Sequence, residues 1–145
     1  LDENILLHKL IEILQYKNLY QFETSNIQPQ DMYILERIYF GKKLKVKDIS
    51  KEYNIPASTA TGIIDRLESK NYIKRIRNNT DRRIVELIVT EEGSQVIQDH
   101  INQDKIFAHN LFNTFEEDKK MVFTQLLFEL ISNVNKEELF KQNNN

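Results

Sequence analysis

Cysteine is absent from this 145-residue chain, glycine occurs three times and proline twice. Without thiols there is no disulfide scaffold, no thiolate zinc centre, no cysteine nucleophile and no thiol-based redox sensing. The absence suits a reducing cytoplasm. Scarce Gly and Pro among many Leu, Ile, Lys and Glu predict long helices with few turns. A long apolar run is also lacking. The most apolar later stretch, 122–134, is interrupted by Gln125, Glu129 and Asn133 and is too short and polar to span a bilayer. The acidic, polar start Leu1-Asp2-Glu3-Asn4 is unlike a signal peptide, so the expectation is a soluble cytoplasmic protein with no membrane partner. Nor is there a phosphate-cradling glycine loop, a convincingly spaced metal-ligand cluster or a nucleophile–base motif. The sequence reads as a non-enzyme, with no catalytic residues, no cofactor and no metal.

What is present is a globular composition, 40% apolar and 29% charged, enough for one domain with helical extensions. The net charge of −2 speaks against a nucleic-acid protein until its distribution is seen. Residues 42–83 hold twelve Lys and Arg against five Asp and Glu, a local +7, which leaves −9 for the rest. A basic middle between acidic ends is the pattern of a chain that touches a polyanion with one part only.

Apolar spacing predicts a helix over 3–22 and a second from Pro29 to about Phe40, ended by Gly41 as a left-handed cap. Two short helices follow, Val46 to Tyr53 and Ala57 to Lys70, joined by the tight turn Asn54-Ile55-Pro56. The second buries Ala60, Ile63, Ile64 and Leu67 and presents Ser58, Thr59, Thr61, Gly62, Asp65 and Arg66. That is a helix-turn-helix pattern. Asn71 can take the left-handed capping conformation. Residues 73–77 and 84–89 are β-branched runs on either side of the polar turn 78–83 and predict a hairpin. Thr90 opens a helix to about Phe112, and a last helix covers about 117–141. The 143–145 end is expected to be disordered. The fold class is mainly α with a small β-hairpin wing. Residues 29–93 form a winged helix-turn-helix lobe, and 1–28 with 94–142 form a helical dimerisation region. The reason for a homodimer is that the apolar residues of the C-terminal helices exceed a single stripe.

An outward row of Ser, Thr and Gly lets a helix lie deep in the major groove of double-stranded DNA. Arg66 is long enough to reach a phosphate or a guanine edge. The hairpin adds Lys74, Arg75, Arg77, Arg82 and Arg83, and an arginine at its tip suits a narrow minor groove. Asp81, beside two arginines, can accept backbone hydrogen bonds and so fix the tip.

The stretch "STATGIIDRLESKNYIKRIRNNTDRRIVELIVTEEG" resembles the signature region of the multiple antibiotic resistance regulator (MarR) family of winged-helix transcription factors. Ser58, Thr59, Thr61, Asp65, Arg66, Leu67 and Glu68 match the recognition-helix pattern; Asp81-Arg82-Arg83, Val89-Thr90 and Gly93 match the wing motif. The resemblance implies a homodimeric regulator, commonly a repressor, on a pseudo-palindromic operator. It implies release by a small phenolic or other effector bound between lobe and dimerisation helices. It also implies that Arg83 enters or borders the minor groove and that Asp65 can pair with it. Tyr16, Tyr20, Phe22 and Tyr33, near the helix junctions, are the candidates for an effector pocket, or else core. Pro56 stands where many relatives have a serine N-cap, and Gly62 where many have a basic residue. Asp99, His100 and Asp104 fall on neighbouring helical turns but read better as a solvated polar face. The alternative function is a winged-helix protein-interaction module that does not bind DNA, against which the retained hydroxyls and arginines argue.

Overall fold

The computed structural model describes residues 1–41 and 44–141, so the 143–145 end lies outside the described residues. In chain order the elements are α1 (Glu3–Ser25), α2 (Pro29–Phe40), α3 (Val46–Glu52), α4 (Ala57–Ser69), β1 (Ile73–Arg77), β2 (Val85–Val89), α5 (Glu91–Phe112) and α6 (Glu117–Asn133). The fold is mainly α with a two-stranded wing. The chain divides into two compact units, Leu1–Asp104 and Lys105–Asn145.

In the first unit the core gathers one face of each element. Met32, Ile34, Leu35 and Ile38 from α2, Ile49 from α3, Ala60, Ile63, Ile64 and Leu67 from α4, Ile73 from β1, Leu87 from β2 and Ile97 from α5 are all buried. Their spacing of three and four on the helices is what gives each helix a single inward face. β1 and β2 pair antiparallel, with Ile73 opposite Val89 and Arg77 opposite Val85. Leu44 adds an isolated bridge, its carbonyl accepting from the Leu87 N–H at 2.8 Å.

Turn chemistry explains how a chain so poor in glycine bends. Asn26, Asn54 and Asn71 all have positive φ, at 55°, 50° and 60°, and no glycine does. Asparagine tolerates that region better than most side chains. Asn71 therefore ends α4 as expected, while the left-handed Asn54 is an unforeseen part of the α3–α4 turn. There the Ser50 hydroxyl donates to the Ile55 carbonyl at 2.7 Å and Pro56 takes the N-cap position of α4.

The expected left-handed cap at Gly41 is corrected: its φ is −86°. Glycine is needed there for room, because a Cβ would lie 2.6 Å from the Leu44 side chain and 2.8 Å from the Arg37 carbonyl oxygen. α1 runs on to Ser25 rather than stopping at 22, and β2 starts at Val85 rather than Ile84. The last helix ends at Asn133, well short of 141. Asn135 there accepts the Glu137 N–H on its side chain at 3.1 Å, a local turn that competes with helix continuation.

In the second unit, Phe123 of α6 stacks against Phe112 and Phe115, with ring centroids 5.4 and 5.0 Å away. No residue of α6 is buried, and Met121, Val122, Leu126, Phe128, Leu130 and Ile131 are exposed. In the first unit α1 likewise exposes Ile5, Leu6, Leu7, Leu10 and Leu14. Among the described residues no helix is long and apolar enough to cross a membrane.

Two glycines make opposite predictions. At Gly93 a Cβ would sit 2.1 Å from the Tyr72 carbonyl oxygen and 2.9 Å from Val89, so Gly93→Ala should destabilise the fold by about 1–3 kcal/mol. At Gly62, inside α4, the nearest atom outside the helix backbone is the end of Arg66 at 3.7 Å. Gly62→Ala should therefore stabilise by about 0.5–1 kcal/mol. Chemical denaturation of both variants checks the pair.

Candidate nucleic-acid interface

The phase of α4 is set by its buried side. With Ala60, Ile63, Ile64 and Leu67 turned into the core, Ser58, Thr59 and Thr61 stand exposed on the opposite side, and Gly62 is half-buried among them. No side chain caps the helix start; the Ala60 N–H instead donates to the Pro56 carbonyl at 3.0 Å. The outer face of α4 is thus short side chains that can donate and accept, over a backbone that another molecule can approach closely.

The arginines divide into two groups. Arg66 donates through Nε to one oxygen of Asp31 at 2.9 Å and through Nη2 to the other at 2.8 Å. Arg75, on β1, is held by Asp65 and Glu68 of α4, and Glu68 also accepts the Arg75 backbone N–H. Its guanidinium is raised above the ordinary arginine value, first by the hydrogen bond to Asp65. These two residues, grouped by sequence with the DNA-contacting side chains, are committed to carboxylates of their own chain. The Asp65–Arg83 pair implied by the family resemblance is corrected in the same way: Asp65 holds Arg75, at the base of the wing.

Lys74, Arg77, Arg82 and Arg83 form the second group and are exposed. The wing tip that carries Arg82 and Arg83 is built by two short polar residues. Asn78 accepts the Thr80 and Asp81 N–H groups on its side-chain oxygen at 2.8 and 3.2 Å and donates to Glu86 at 3.1 Å. Asp81 accepts the Arg83 N–H at 3.0 Å and its Nε at 3.2 Å. These bonds, the backbone one foremost, lower the Asp81 carboxyl below its ordinary value. The Arg83 side chain is 92% exposed even though its guanidinium is paired with Asp81 through Nε and Nη2.

The fold that carries this surface is shared with known proteins. The model of the MarR family matches residues 27–85. A curated relative, the HTH-type transcriptional repressor MdtR of Bacillus subtilis, is 33% identical over 63% of this chain and 59% of its own length. The chain thus spans about three-fifths of that relative. Residues 27–85 thus carry a MarR-family domain. Among solved structures, YusO from Bacillus subtilis superposes with a TM-score of 0.82 at 24% identity, covering 90% of this chain and 93% of that one. Streptococcus pneumoniae FabT, solved in complex with DNA, gives 0.75 at 23% identity, covering 90% and 96%. The curated relatives are named as HTH-type transcriptional regulators.

The effector candidates are not gathered around one cavity. Phe22 and Tyr33 line a space of only about 10 Å³, scarcely one water, while Tyr16 and Tyr20 are exposed on α1. Sequence reasoning missed a polar cluster close by. His100 Nε2 lies 3.5 Å from Glu36 and 3.6 Å from Asp104, and Asp104 is bound by Lys17 at 2.6 Å and Gln21 at 2.8 Å. The solvated polar face read over Asp99, His100 and Asp104 holds only for Asp99, which is exposed and accepts from Gln95; His100 is buried and faces Glu36 of α2 and Asp104. A contact between residues so far apart in sequence leaves no local signal. A cleft of about 270 Å³ runs past His100, lined also by Thr24, Tyr72 and Gln103.

Burial pushes the His100 imidazole below its ordinary value, against the pull of Asp104. Burial, then Asp104, raises Glu36. The signs are opposite. As pH falls below about 6.5 the unfolded state protonates its histidine first, so the His100 contribution to stability is lost on acidification. Glu36 takes up its proton first in the folded state and so gains stability in acid. His100→Gln isolates the first effect: between about pH 7.5 and about pH 5.5 the wild type should lose more thermal stability than the variant. Equal losses in the two melting series would remove His100 from the account.

Proposed function

We propose that this regulator binds double-stranded DNA as a homodimer and represses transcription at a pseudo-palindromic operator in the cytoplasm. A small phenolic or other apolar effector would release it. The observation that carries the DNA-binding reading is one surface: the exposed hydroxyl face of α4 beside an exposed, internally braced arginine tip. Ser58, Thr59 and Thr61 suit base edges and phosphates in the major groove, with Gly62 permitting close approach. Arg83, with Arg82 beside it, suits a minor groove, and Lys74 and Arg77 suit the phosphates between. The +7 of residues 42–83 supplies attraction that the whole-chain charge conceals.

The dimer rests on the apolar side chains that α1 and α6 leave exposed, more than a stable monomer ordinarily shows. In this reading 1–28 and 94–142 are the dimerisation region. A relative named as a repressor and a structural neighbour solved with DNA agree with the proposal. The cleft past His100 is a better place for an effector than the four aromatics read from sequence.

Titration of labelled duplex DNA at several salt concentrations tests the reading. Affinity should fall steeply with salt as counterions are displaced. Arg83→Ala should weaken binding by about 1–3 kcal/mol and make the salt slope shallower by about one. No binding at low salt, or binding indifferent to salt, would instead favour the protein-interaction module. Sedimentation at micromolar concentration should give a dimer mass, and Leu126→Glu on α6 should shift it towards the monomer.

A further inference from the structure

Arg66 sits among the residues that face outward from α4, and its side chain is 55% exposed. The carboxylate it grips is different, since the Asp31 side chain is only 8% exposed. A carboxylate withdrawn that far from water is costly unless a cation with matching geometry stands against it. Arginine supplies that match: Nε and Nη2 each meet a separate oxygen, the parallel two-pronged arrangement that a lysine cannot make.

The position of Asp31 gives the pair its consequence. It lies in the first turn of α2, two residues after Pro29, where the helix N-terminus favours a negative charge. α2 is also deeply embedded, with Met32, Ile34, Leu35 and Ile38 at 3% exposure or less. The clamp therefore fastens the outer side of α4 to a helix held by its own buried face. On either side of Arg66, Asp65 and Glu68 fasten α4 to Arg75 of the wing.

We propose that Arg66 is a positioning residue rather than a DNA contact. Its bidentate bond to buried Asp31 fixes the angle at which α4 presents Ser58, Thr59 and Thr61. The proposal rests on the DNA-binding reading above and names a residue through which that surface is oriented. It differs in sign from the alternative, in which Arg66 neutralises a phosphate. Asp31→Asn removes a negative charge and loosens Arg66. If Arg66 were a phosphate contact held back by Asp31, affinity for DNA would rise. If Arg66 orients the helix, affinity falls although the protein has become more positive.

The experiment measures binding of generic duplex DNA across a salt series for the wild type, Asp31→Asn, Arg66→Gln, Arg66→Lys and the double variant Asp31→Asn with Arg66→Gln. Thermal melts show that each is folded, and Arg66→Lys, which keeps the charge but not the fork, serves if the neutral variants are not. Each single variant should bind about 2- to 30-fold more weakly, as for residues that couple one element to another. The salt slope should stay at the wild-type value, and the double variant should be no worse than either neutral single one. A slope shallower by about one in Arg66→Gln, full affinity in Arg66→Lys, or tighter binding by Asp31→Asn would each overturn the assignment. A wild type that binds no duplex at low salt would overturn the DNA-binding reading itself, and this assignment with it.

Discussion

The burial of one side of α4 is the constraint on which the rest depends. Ala60, Ile63, Ile64 and Leu67 are at most 1% exposed, packed with Ile49 of α3, Ile73 of β1 and the apolar row of α2. A helix with four fully buried positions at helical spacing has no freedom to rotate about its axis, because any rotation would bring a polar residue into a close-packed core. The inner face therefore decides which side chains point outward, and only the tilt at which they are presented is left for the proposed Arg66–Asp31 clamp to fix. Ser58, Thr59 and Thr61 point outward as a consequence of where the isoleucines and the leucine must go.

Electrostatics then sorts the cations around that helix by task. The local excess of +7 suggests one undivided basic patch, but the carboxylates near it are not scattered screening charges. Asp65 and Glu68 hold Arg75, Asp31 holds Arg66, and Asp81 shapes the turn below Arg83. The exposed positive charge that remains lies on Lys74, Arg77 and Arg82 along the wing, with Arg83 braced by Asp81 at its tip, and on Lys45, Lys47, Lys51 and Lys70 outside it. The aspartate that looks misplaced next to two arginines has the clearest of these roles. It accepts a backbone N–H two residues on and pairs with the same residue's guanidinium, so that the tip keeps one shape while the Arg83 side chain stays exposed.

Much of this was legible in the sequence, for reasons that can be named. The three- and four-residue spacing of apolar positions located α2, α4 and α5, and the switch to β-branched runs located the wing. Pro56 marked the turn before α4. What local pattern does not encode is pairing at a distance. Asp31 and Arg66 are 35 positions apart and Glu36 and His100 farther still, so in sequence Arg66 reads as a probe and Glu36 carries no signal. Backbone conformation at single residues was also hard to read: glycine at 41 pointed to a left-handed cap, whereas its neighbours required only the missing side chain. The end of α6 was misplaced because apolar spacing continues through Leu139 and Phe140, while Asn135 turns the backbone aside.

The exposed apolar faces bear on stability as well as assembly. The unit Leu1–Asp104 has a closed core beneath α4 and the wing, but α1 keeps only Gln21 buried, and α6 has no buried residue at all. Leu and Ile side chains left in water along whole helices gain nothing from folding until another surface covers them. If a second copy provides that surface, as proposed, the helices at the two ends of the chain are ordered at the expense of protein concentration, whereas the DNA-facing unit is ordered by its own core. The two parts would then respond differently to dilution, and the spacing between two α4 helices, on which recognition of a two-fold operator depends, would be set by the part of the molecule whose stability is shared between copies.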